Sequence, residues 1–163
     1  MVFNMNIIFL DIDGVLRTHE SDLAWSNELN EPVRRGTNRL FSKKAVDNLN
    51  EVIFLTRAKI VVTSSWRLKL SLEQLKKAFK QRGVEGEVIA KTSSDYIDND
   101  YFIPIGNRGL EIRQWLQDNH YSKFVVIDDQ VKDIVSIIPD YKVVKVNPLV
   151  GFVEVDKVLD ILL

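Results

Sequence analysis

The sequence contains no cysteine, which excludes disulfide bonds and thiolate metal sites. Its two histidines, His19 and His120, form no cluster that would indicate a zinc site. The formal net charge is −1, so overall charge gives no argument for binding nucleic acid or a membrane. No apolar run approaches the roughly 18 residues of a membrane span. No positively charged segment precedes the first apolar run, and we therefore expect a cytoplasmic protein without a signal peptide.

The pattern of apolar residues favours an α/β fold with strands and helices in alternation. The length of 163 residues fits a single domain, 1–163, with a core of its own. Short apolar, β-branched runs predict strands buried on both faces of a parallel sheet, at 7–10, 60–62, 88–90, 124–127 and 143–146. Helices are predicted at 42–56, 71–83, 109–119 and 153–162. Such an alternation predicts a three-layer, Rossmann-like arrangement around a central parallel sheet.

Local signals mark where some elements begin. Ser42 is a suitable helix N-cap, and Ser71 with Gln74 forms the pattern of a capping box. The segments 17–41 and 92–107 are polar and irregular, and we expect loops there. Long loops inside a compact domain are usually functional or disordered.

The most informative string is Phe-Leu-Asp-Ile-Asp-Gly-Val-Leu at 9–16. Asp11 and Asp13 follow a hydrophobic strand directly, which places them at the carboxyl edge of the sheet, where α/β proteins bind ligands. Gly14 allows the chain to turn sharply after them. An isolated Asp-x-Asp would be no more than a polar strand end, but the complete string is much rarer.

This string resembles the first motif of the haloacid-dehalogenase-like (HAD) hydrolases. Three further strings resemble the later motifs of that family, in the same order: a strand ending in hydroxyl residues at 61–67, Arg-Gly before a helix at 108–109, and a strand ending in paired acids at 125–129. More narrowly, Ser-Ser-Trp-Arg at 64–67 and Arg-Gly-x-Glu-Ile at 108–112 look like the HAD domain of Swiss-army-knife RNA-repair proteins. The resemblance implies a HAD-like fold and a phosphatase activity.

The resemblance also implies roles for the four acids. Asp11 would attack phosphorus and form an aspartyl-phosphate, and Asp13 would act as general acid and base. An acid in the position of Asp13 accompanies phosphatases and phosphomutases in this family. Asp11, the backbone carbonyl of Asp13, and Asp128 would bind Mg²⁺, with Asp129 as a weaker or indirect ligand. Oxygen ligands of this kind suit a hard cation.

Two of the implied roles each have two candidates. Thr63, or Ser64 if the strand is shifted by one residue, would hydrogen-bond the transferring phosphoryl group. Arg108 would balance its negative charge, although the family more often has lysine there and Lys91 competes for the role. An arginine can bind phosphate through its planar fork.

Substrate contacts are less sharply indicated. Arg67 is a candidate substrate-binding residue. Between positions 66 and 82 there are six basic residues and a single acid, and they form either a binding surface for a nucleic-acid backbone or a solvated helix face. These basic residues are Arg67, Lys69, Lys76, Lys77, Lys80 and Arg82. Trp66 stacks on a base in one reading and is a core residue in the other. Two arrangements follow for the segment 17–41: either the site stays open and a macromolecule encloses it, or the segment acts as a small lid with Arg34, Arg35 or Arg39 on a distant phosphate. About 28 residues remain in the insert 14–58 besides its helix, too few for a large cap.

The expected function is therefore Mg²⁺-dependent hydrolysis of a phosphomonoester, with a nucleic-acid end or nucleotide as one substrate class. A small-metabolite phosphatase or a phosphotransferase of the same fold is the nearest alternative. A signalling phosphoacceptor module would carry an adjacent acid pair after its first strand, whereas here the adjacent pair comes late. A non-catalytic binding module would not need the complete set of acids.

Overall fold

The computed structural model describes residues 4–93, 97–98, 101–102 and 107–163. Within these residues the strands are β1 (Ile7–Leu10), β2 (Lys59–Val62), β3 (Val88–Lys91), β4 (Ile97–Asp98), β5 (Tyr101–Phe102), β6 (Phe124–Asp128) and β7 (Val143–Lys145). Five of them form one parallel sheet in the order β3-β2-β1-β6-β7, and β4 pairs with β5 antiparallel. The predicted central parallel sheet is confirmed.

The helices in the described residues are α1 (His19–Leu29), α2 (Lys43–Thr56), α3 (Leu72–Gln81), α4 (Arg108–Asp118), α5 (Lys132–Val135) and α6 (Val155–Leu162). The two predicted caps are confirmed. The Ser42 hydroxyl accepts from the Ala45 N–H, and Ser71 and Gln74 form the reciprocal capping box. None of these helices is long and apolar enough to cross a membrane.

The two segments expected to be loops contain regular structure. In 17–41 the chain forms α1, whose N-cap Thr18 makes a capping box with Ser21. Apolar spacing does not reveal this helix because its buried residues, Ser21 and Asp22, are polar. In 92–107 the structure has the β4–β5 pair, and the rest of the predicted loop at 94–96, 99–100 and 103–106 lies outside the described residues.

Helices cover both faces of the sheet, which gives the expected three layers. Ile8 and Leu10 of β1 pack in one apolar cluster that includes buried residues of α2, α3 and α6. Ile7 and Phe9 point the other way, into a cluster with residues of α4 and α5. Because successive side chains of a strand alternate between faces, a strand covered on both sides must be apolar throughout. All four residues of β1 are 0% exposed.

The order of the strands places a crevice beside β1. The chain runs outward through β2 and β3 on one side of β1, then returns to β6 and β7 on the other side. Parallel sheets bind ligands at the carboxyl ends of the strands where the order reverses in this way. The residues that follow β1, β2 and β6 are therefore the ones to inspect.

Candidate active site

Three adjacent strands end together and present polar residues at one edge of the sheet. Leu10 pairs with Val62 of β2 and with Ile127 of β6. The next residue on each strand is Asp11, Thr63 and Asp128 respectively. Two ladder bonds continue past the apolar residues, since Asp11 N–H donates to the Ile127 carbonyl at 3.1 Å and Thr63 N–H to the Leu10 carbonyl at 3.0 Å. The sheet register therefore fixes these three side chains side by side.

A cleft of about 540 Å³ opens at this edge. Its lining combines acidic, basic and hydroxyl side chains and includes residues from all the motifs recognised in the sequence: Asp11, Asp13, Gly14, Arg17, His19, Thr63, Ser65, Arg67, Arg108, Asp129, Gln130, Asp133 and Pro148. Of the predicted site residues, Asp11, Asp13, Thr63, Arg67, Arg108 and Asp129 therefore share one cleft. Ser64, Lys91 and the fully buried Asp128 do not line it.

Three carboxylates form a cluster at the floor of the cleft. One oxygen from each of Asp11, Asp128 and Asp129 lies within 4.8 Å of the others. Asp11 is 7% exposed and Asp128 is 0% exposed. Gly14 makes room for the third acid, because it has a φ of +82° and a Cβ there would lie 2.5 Å from the Asp129 Oδ2. A side chain at position 14 would displace that carboxylate.

The cluster is electrostatically unfavourable without a cation. Burial, followed by the charge of Asp128, raises the pKa of Asp11 well above its ordinary value. Burial also raises the pKa of Asp128 to about 6, against the opposing effect of Arg108. Buried acids in contact repel each other when both are ionised. A divalent cation with a preference for oxygen ligands would remove this repulsion, so the donor set fits Mg²⁺.

Arg108 begins α4 and holds two acids beside the cluster. Its guanidinium donates to the Asp128 carboxylate and to Asp133, with an Nη2–Oδ1 distance of 3.0 Å. It also donates to the Gln130 carbonyl at 2.5 Å. Burial opposes its charge, but the hydrogen bonds and charges of Asp133 and Asp128 prevail and raise its pKa above its ordinary value. Arg108 is thus fixed at the cleft wall as a permanent positive charge.

Thr63 and Ser64 have different environments. Thr63 is 1% exposed, and its Oγ1 has no hydrogen-bond partner among the described residues. Ser64 is equally buried, but its hydroxyl caps a short 3-10 turn by accepting from the Trp66 N–H at 3.3 Å. A buried hydroxyl without a partner is costly unless a ligand satisfies it. Of these two residues, Thr63 has the hydroxyl that is available to a ligand in the cleft.

Arg67 lies beneath the cleft in a buried ion pair with Glu111 of α4, with an Nη2–Oε2 distance of 2.6 Å. Its Nη1 donates to the carbonyls of Thr63 and Ser64 at 2.8 and 3.0 Å, and its Nε has no partner among the described residues. Burial raises the pKa of Glu111, and the charge of Arg67 opposes this. Arg67 therefore ties the turn after β2 to α4. The sequence gives Arg67 as a candidate, but not its partner 44 residues away.

Asp13 is held by an ion pair with Arg17 and by a hydrogen bond from Trp66, neither of which the sequence motifs reveal. Arg17 Nε lies 3.0 Å from its Oδ1, and the Trp66 indole N–H donates to its Oδ2 at 3.3 Å. Trp66 is 3% exposed, which agrees with the reading of this residue as part of the core. Arg17 could have been found from its position four residues after Asp13 and next to a helix cap. Asp133, the second partner of Arg108, lies outside the sequence motifs and could not be found from them.

The remaining basic candidates are distributed around the site. Lys91 donates to the carbonyls of Arg67 and Leu70 at 2.9 and 3.1 Å and so supports the 3-10 turn. The stretch 66–82 is not one basic face, because Arg67 is buried and Arg82 is half-buried, with hydrogen bonds to the carbonyls of Arg39 and Thr37. The other basic residues of this stretch are exposed: Lys69, Lys76, Lys77 and Lys80.

Comparison with known proteins agrees with the motifs. Residues 7–156 match the family model described as "HAD domain in Swiss Army Knife RNA repair proteins". Searches of curated proteins and of solved structures found no match. The matched range contains the whole parallel sheet and every residue of the cleft lining. The chain therefore belongs to the family of HAD domains found in Swiss Army Knife RNA repair proteins, and with it to the HAD-type phosphohydrolases.

Proposed function

We propose that this protein is a Mg²⁺-dependent phosphomonoester hydrolase in which Asp11 is the nucleophile. The observation that carries the proposal is the cluster of Asp11, Asp128 and Asp129, whose oxygens lie within 4.8 Å of one another in a cleft that also contains Asp13. A fold gains nothing from grouping buried acids in this way, and phosphoryl transfer requires both an oxygen nucleophile and neutralised charge.

In the first step, a carboxylate oxygen of Asp11 attacks the phosphorus in line with the ester oxygen. The P–O bond to the leaving group breaks as the new bond to Asp11 forms. Asp13 gives its proton to the departing oxygen, which leaves as an alcohol. Thr63 Oγ1, which lacks a partner among the described residues, donates to a phosphoryl oxygen. Arg108 and the Nε of Arg67 supply positive charge beside it.

In the second step, water hydrolyses the aspartyl-phosphate. Asp13, now ionised, takes a proton from the water while the water oxygen attacks the phosphorus. The bond between the phosphorus and the Asp11 oxygen breaks, which releases inorganic phosphate and restores the Asp11 carboxylate. Asp13 ends the cycle protonated and ready for the next leaving group. Asp13 can serve both steps because it loses one proton in the first step and regains one in the second.

The residues that would hold Mg²⁺ are Asp11, Asp128 and the backbone carbonyl of Asp13, with Asp129 close enough to bind directly or through water. When bound, the cation neutralises the carboxylates and polarises the phosphoryl oxygens. Arg108 keeps Asp128 oriented by its hydrogen bond to one oxygen of that carboxylate.

Chelation tests this proposal. Phosphatase activity should disappear after treatment with EDTA and return on addition of Mg²⁺. The Asp128→Ala variant should need more Mg²⁺ or lose turnover altogether. A metal-free sample that hydrolyses substrate at the full rate would contradict the cation's role. Testing small phosphorylated metabolites together with 3′- and 5′-phosphorylated oligonucleotides would identify the substrate class in the same experiment.

For the substrate we propose a phosphorylated nucleic-acid end. The regular structure of the insert 14–58 is limited to α1, α2 and a short 3-10 turn, so the insert forms no separate domain that could enclose a small substrate. The segment that follows α1 supplies three arginines, Arg34, Arg35 and Arg39, of which Arg34 pairs with Glu31 at 2.6 Å. Arg82 reaches the same segment through hydrogen bonds to the Thr37 and Arg39 carbonyls. Arg35 is exposed, the Arg39 side chain is 30% exposed, and burial together with the charge of nearby Arg34 lowers the pKa of Arg82.

The substrate test compares kcat/KM for a phosphorylated oligonucleotide with that for the matching mononucleotide at two salt concentrations. Backbone contacts should favour the longer substrate, and the preference should fall as salt rises. The variant Arg35→Gln should lose part of the preference and keep the rate on the mononucleotide. Equal values for both substrates at both salt concentrations would instead assign the protein to small-metabolite phosphatases.

A further inference from the structure

The helix α1 carries a buried acid that the proposed reaction does not use. Asp22 lies in the first turn of α1 and is 7% exposed. It does not line the cleft. Its Oδ2 accepts from Arg17 Nη1 at 2.7 Å, and Arg39 Nε lies 3.8 Å from the same atom. A buried carboxylate loses its hydration, so it is retained only where a cation or donor replaces that hydration.

Arg17 connects this buried acid with the proposed general acid. The same guanidinium that donates to Asp22 places its Nε 3.0 Å from the Asp13 Oδ1. The Arg17 side chain is 15% exposed and reaches the cleft wall. Asp22, Arg17 and Asp13 therefore form one chain of charges, negative, positive and negative, that leads from the start of α1 into the cleft.

The backbone around this chain of charges is firmly held. Gly14 N–H donates to the Arg17 carbonyl at 2.7 Å, which closes the turn between Asp13 and Arg17. Thr18 and Ser21 fix the start of α1 through their capping box. Asp13 Oδ2 receives the Trp66 indole N–H, so both of its oxygens are restrained.

A phosphate dianion in the cleft would compete with Asp13 for Arg17. Coulomb attraction favours the more highly charged partner at similar distance. Asp22 opposes this exchange because it fixes the other end of the guanidinium. We propose that Asp22, acting through Arg17, positions Asp13 for proton transfer to the leaving group. This inference rests on the proposed function and assigns Asp22 and Arg17 as positioning residues in it.

A comparison of leaving groups tests the inference. Phenyl phosphate releases a basic oxygen that needs a proton, whereas 2,4-dinitrophenyl phosphate releases a stable anion that does not. The ratio kcat/KM covers the steps up to departure of the leaving group, so it isolates the step in which Asp13 acts as an acid. Asp22→Asn should lower kcat/KM for phenyl phosphate by roughly 10–100-fold, the scale of a misplaced catalytic group. The value for 2,4-dinitrophenyl phosphate should stay close to wild type.

Two further variants support the comparison. Arg17→Gln removes the connecting guanidinium while Asp22 stays in place, and it should show the same dependence on the leaving group. It also carries the test if Asp22→Asn fails to fold, as judged by circular dichroism. Glu28→Gln is the matched control, because it removes another carboxylate of α1, one that pairs with Lys43 at 3.1 Å on the surface. This control should leave both rates unchanged.

The outcomes separate the inference from the function on which it rests. Equal losses on both esters, or no loss on either, in Asp22→Asn and Arg17→Gln would overturn the positioning role. If Asp13→Asn is selectively slow on phenyl phosphate while those two variants are not, only the inference fails. If Asp13→Asn loses equally on both esters, the proposed general acid is itself wrong, and the inference falls with it.

Discussion

Two buried groups of charged residues lie within the same fold and differ in how they are satisfied. Under the cleft, Arg67 and Glu111 face each other at 2.6 Å, and Arg67 also donates to two carbonyls. At the floor of the cleft, Asp11, Asp128 and Asp129 bring like charges together. The first group is nearly complete with protein atoms alone. In the second, Arg108 pairs with Asp128, but the three acids still lack a cation among themselves, and the proposed function assigns Mg²⁺ and the substrate to this group.

The largest effect should come from the nucleophile in the unsatisfied group. Asp11→Asn keeps the shape of the side chain but cannot attack phosphorus. Turnover should fall by more than roughly 10⁴-fold, as for other nucleophiles, while circular dichroism remains that of wild type. If purified Asp11→Asn keeps activity within about tenfold of wild type, Asp11 is not the nucleophile, and the acid cluster loses its assigned catalytic role.

A smaller loss is expected at the hydroxyl beside Asp11. Thr63→Val removes the Oγ1 that lacks a partner among the described residues, so stability should be unchanged or slightly higher. The rate should fall by roughly 10²–10³-fold, the usual cost of one donor to the transition state. Ser64→Ala, measured in parallel, should lose little activity because that hydroxyl caps a turn. The reverse ranking would assign the phosphoryl contact to Ser64.

The Arg67–Glu111 group should show its main effect on stability. Glu111→Gln leaves the buried Arg67 charge without its counter-ion and should lower the free energy of unfolding by about 3–5 kcal/mol in urea titrations. Replacing both residues, as in Arg67→Met/Glu111→Leu, should cost less than the single change. Lys43→Gln breaks an exposed pair with Glu28 and should cost about 1 kcal/mol or less. Equal costs for Glu111→Gln and Lys43→Gln would show that burial does not distinguish these pairs.

The smallest effect concerns pH and the metal-free protein. Burial raises the pKa of Asp128 from 3.8 to about 6, so the folded state binds this proton more readily than the unfolded chain. Its contribution to stability is therefore present at low pH and is lost as the pH rises through about 6. Thermal unfolding of the EDTA-treated protein should show this trend, and Asp128→Asn should show a weaker one, because burial still raises the pKa of Asp11. If the thermal stability of wild type and Asp128→Asn depends on pH in the same way, the proton bound by Asp128 is not the cause of the trend.

The elements that the sequence predicted well are those with a local signal. β1 and β6 are continuous apolar runs, and α2 and α3 begin with serine caps, so burial and capping revealed them without long-range information. The helix α1 was wrongly expected to be a loop because the residues it buries, Ser21 and Asp22, are polar. Its packing depends on Arg17 and Arg39, whose side chains approach Asp22 only after folding.

In the candidate site, too, the residues with a local sequence signal were predicted and those without one were not. Asp11 and Asp13 stand in a rare string directly after a strand, and the structure brings both into one cleft with Asp129. Contacts between distant segments could not be read in this way. Glu111 on Arg67, Trp66 on Asp13 and Lys91 on the turn after β2 join residues that are 44, 53 and 24 positions apart. Such pairings depend on how the helices pack on the sheet, which no local pattern encodes.

The most direct test of the account is to locate the phosphoryl group during turnover. Asp13→Asn should slow hydrolysis of the intermediate, so acid quenching after mixing with a ³²P-labelled aryl phosphate should trap it. Peptide mass spectrometry should then find the phosphoryl group on Asp11, with Asp11→Asn/Asp13→Asn as the unlabelled control. Label on another residue, or release of the aryl alcohol in the first turnover with no covalent phosphoryl group, would contradict the assignment of Asp11 as the nucleophile.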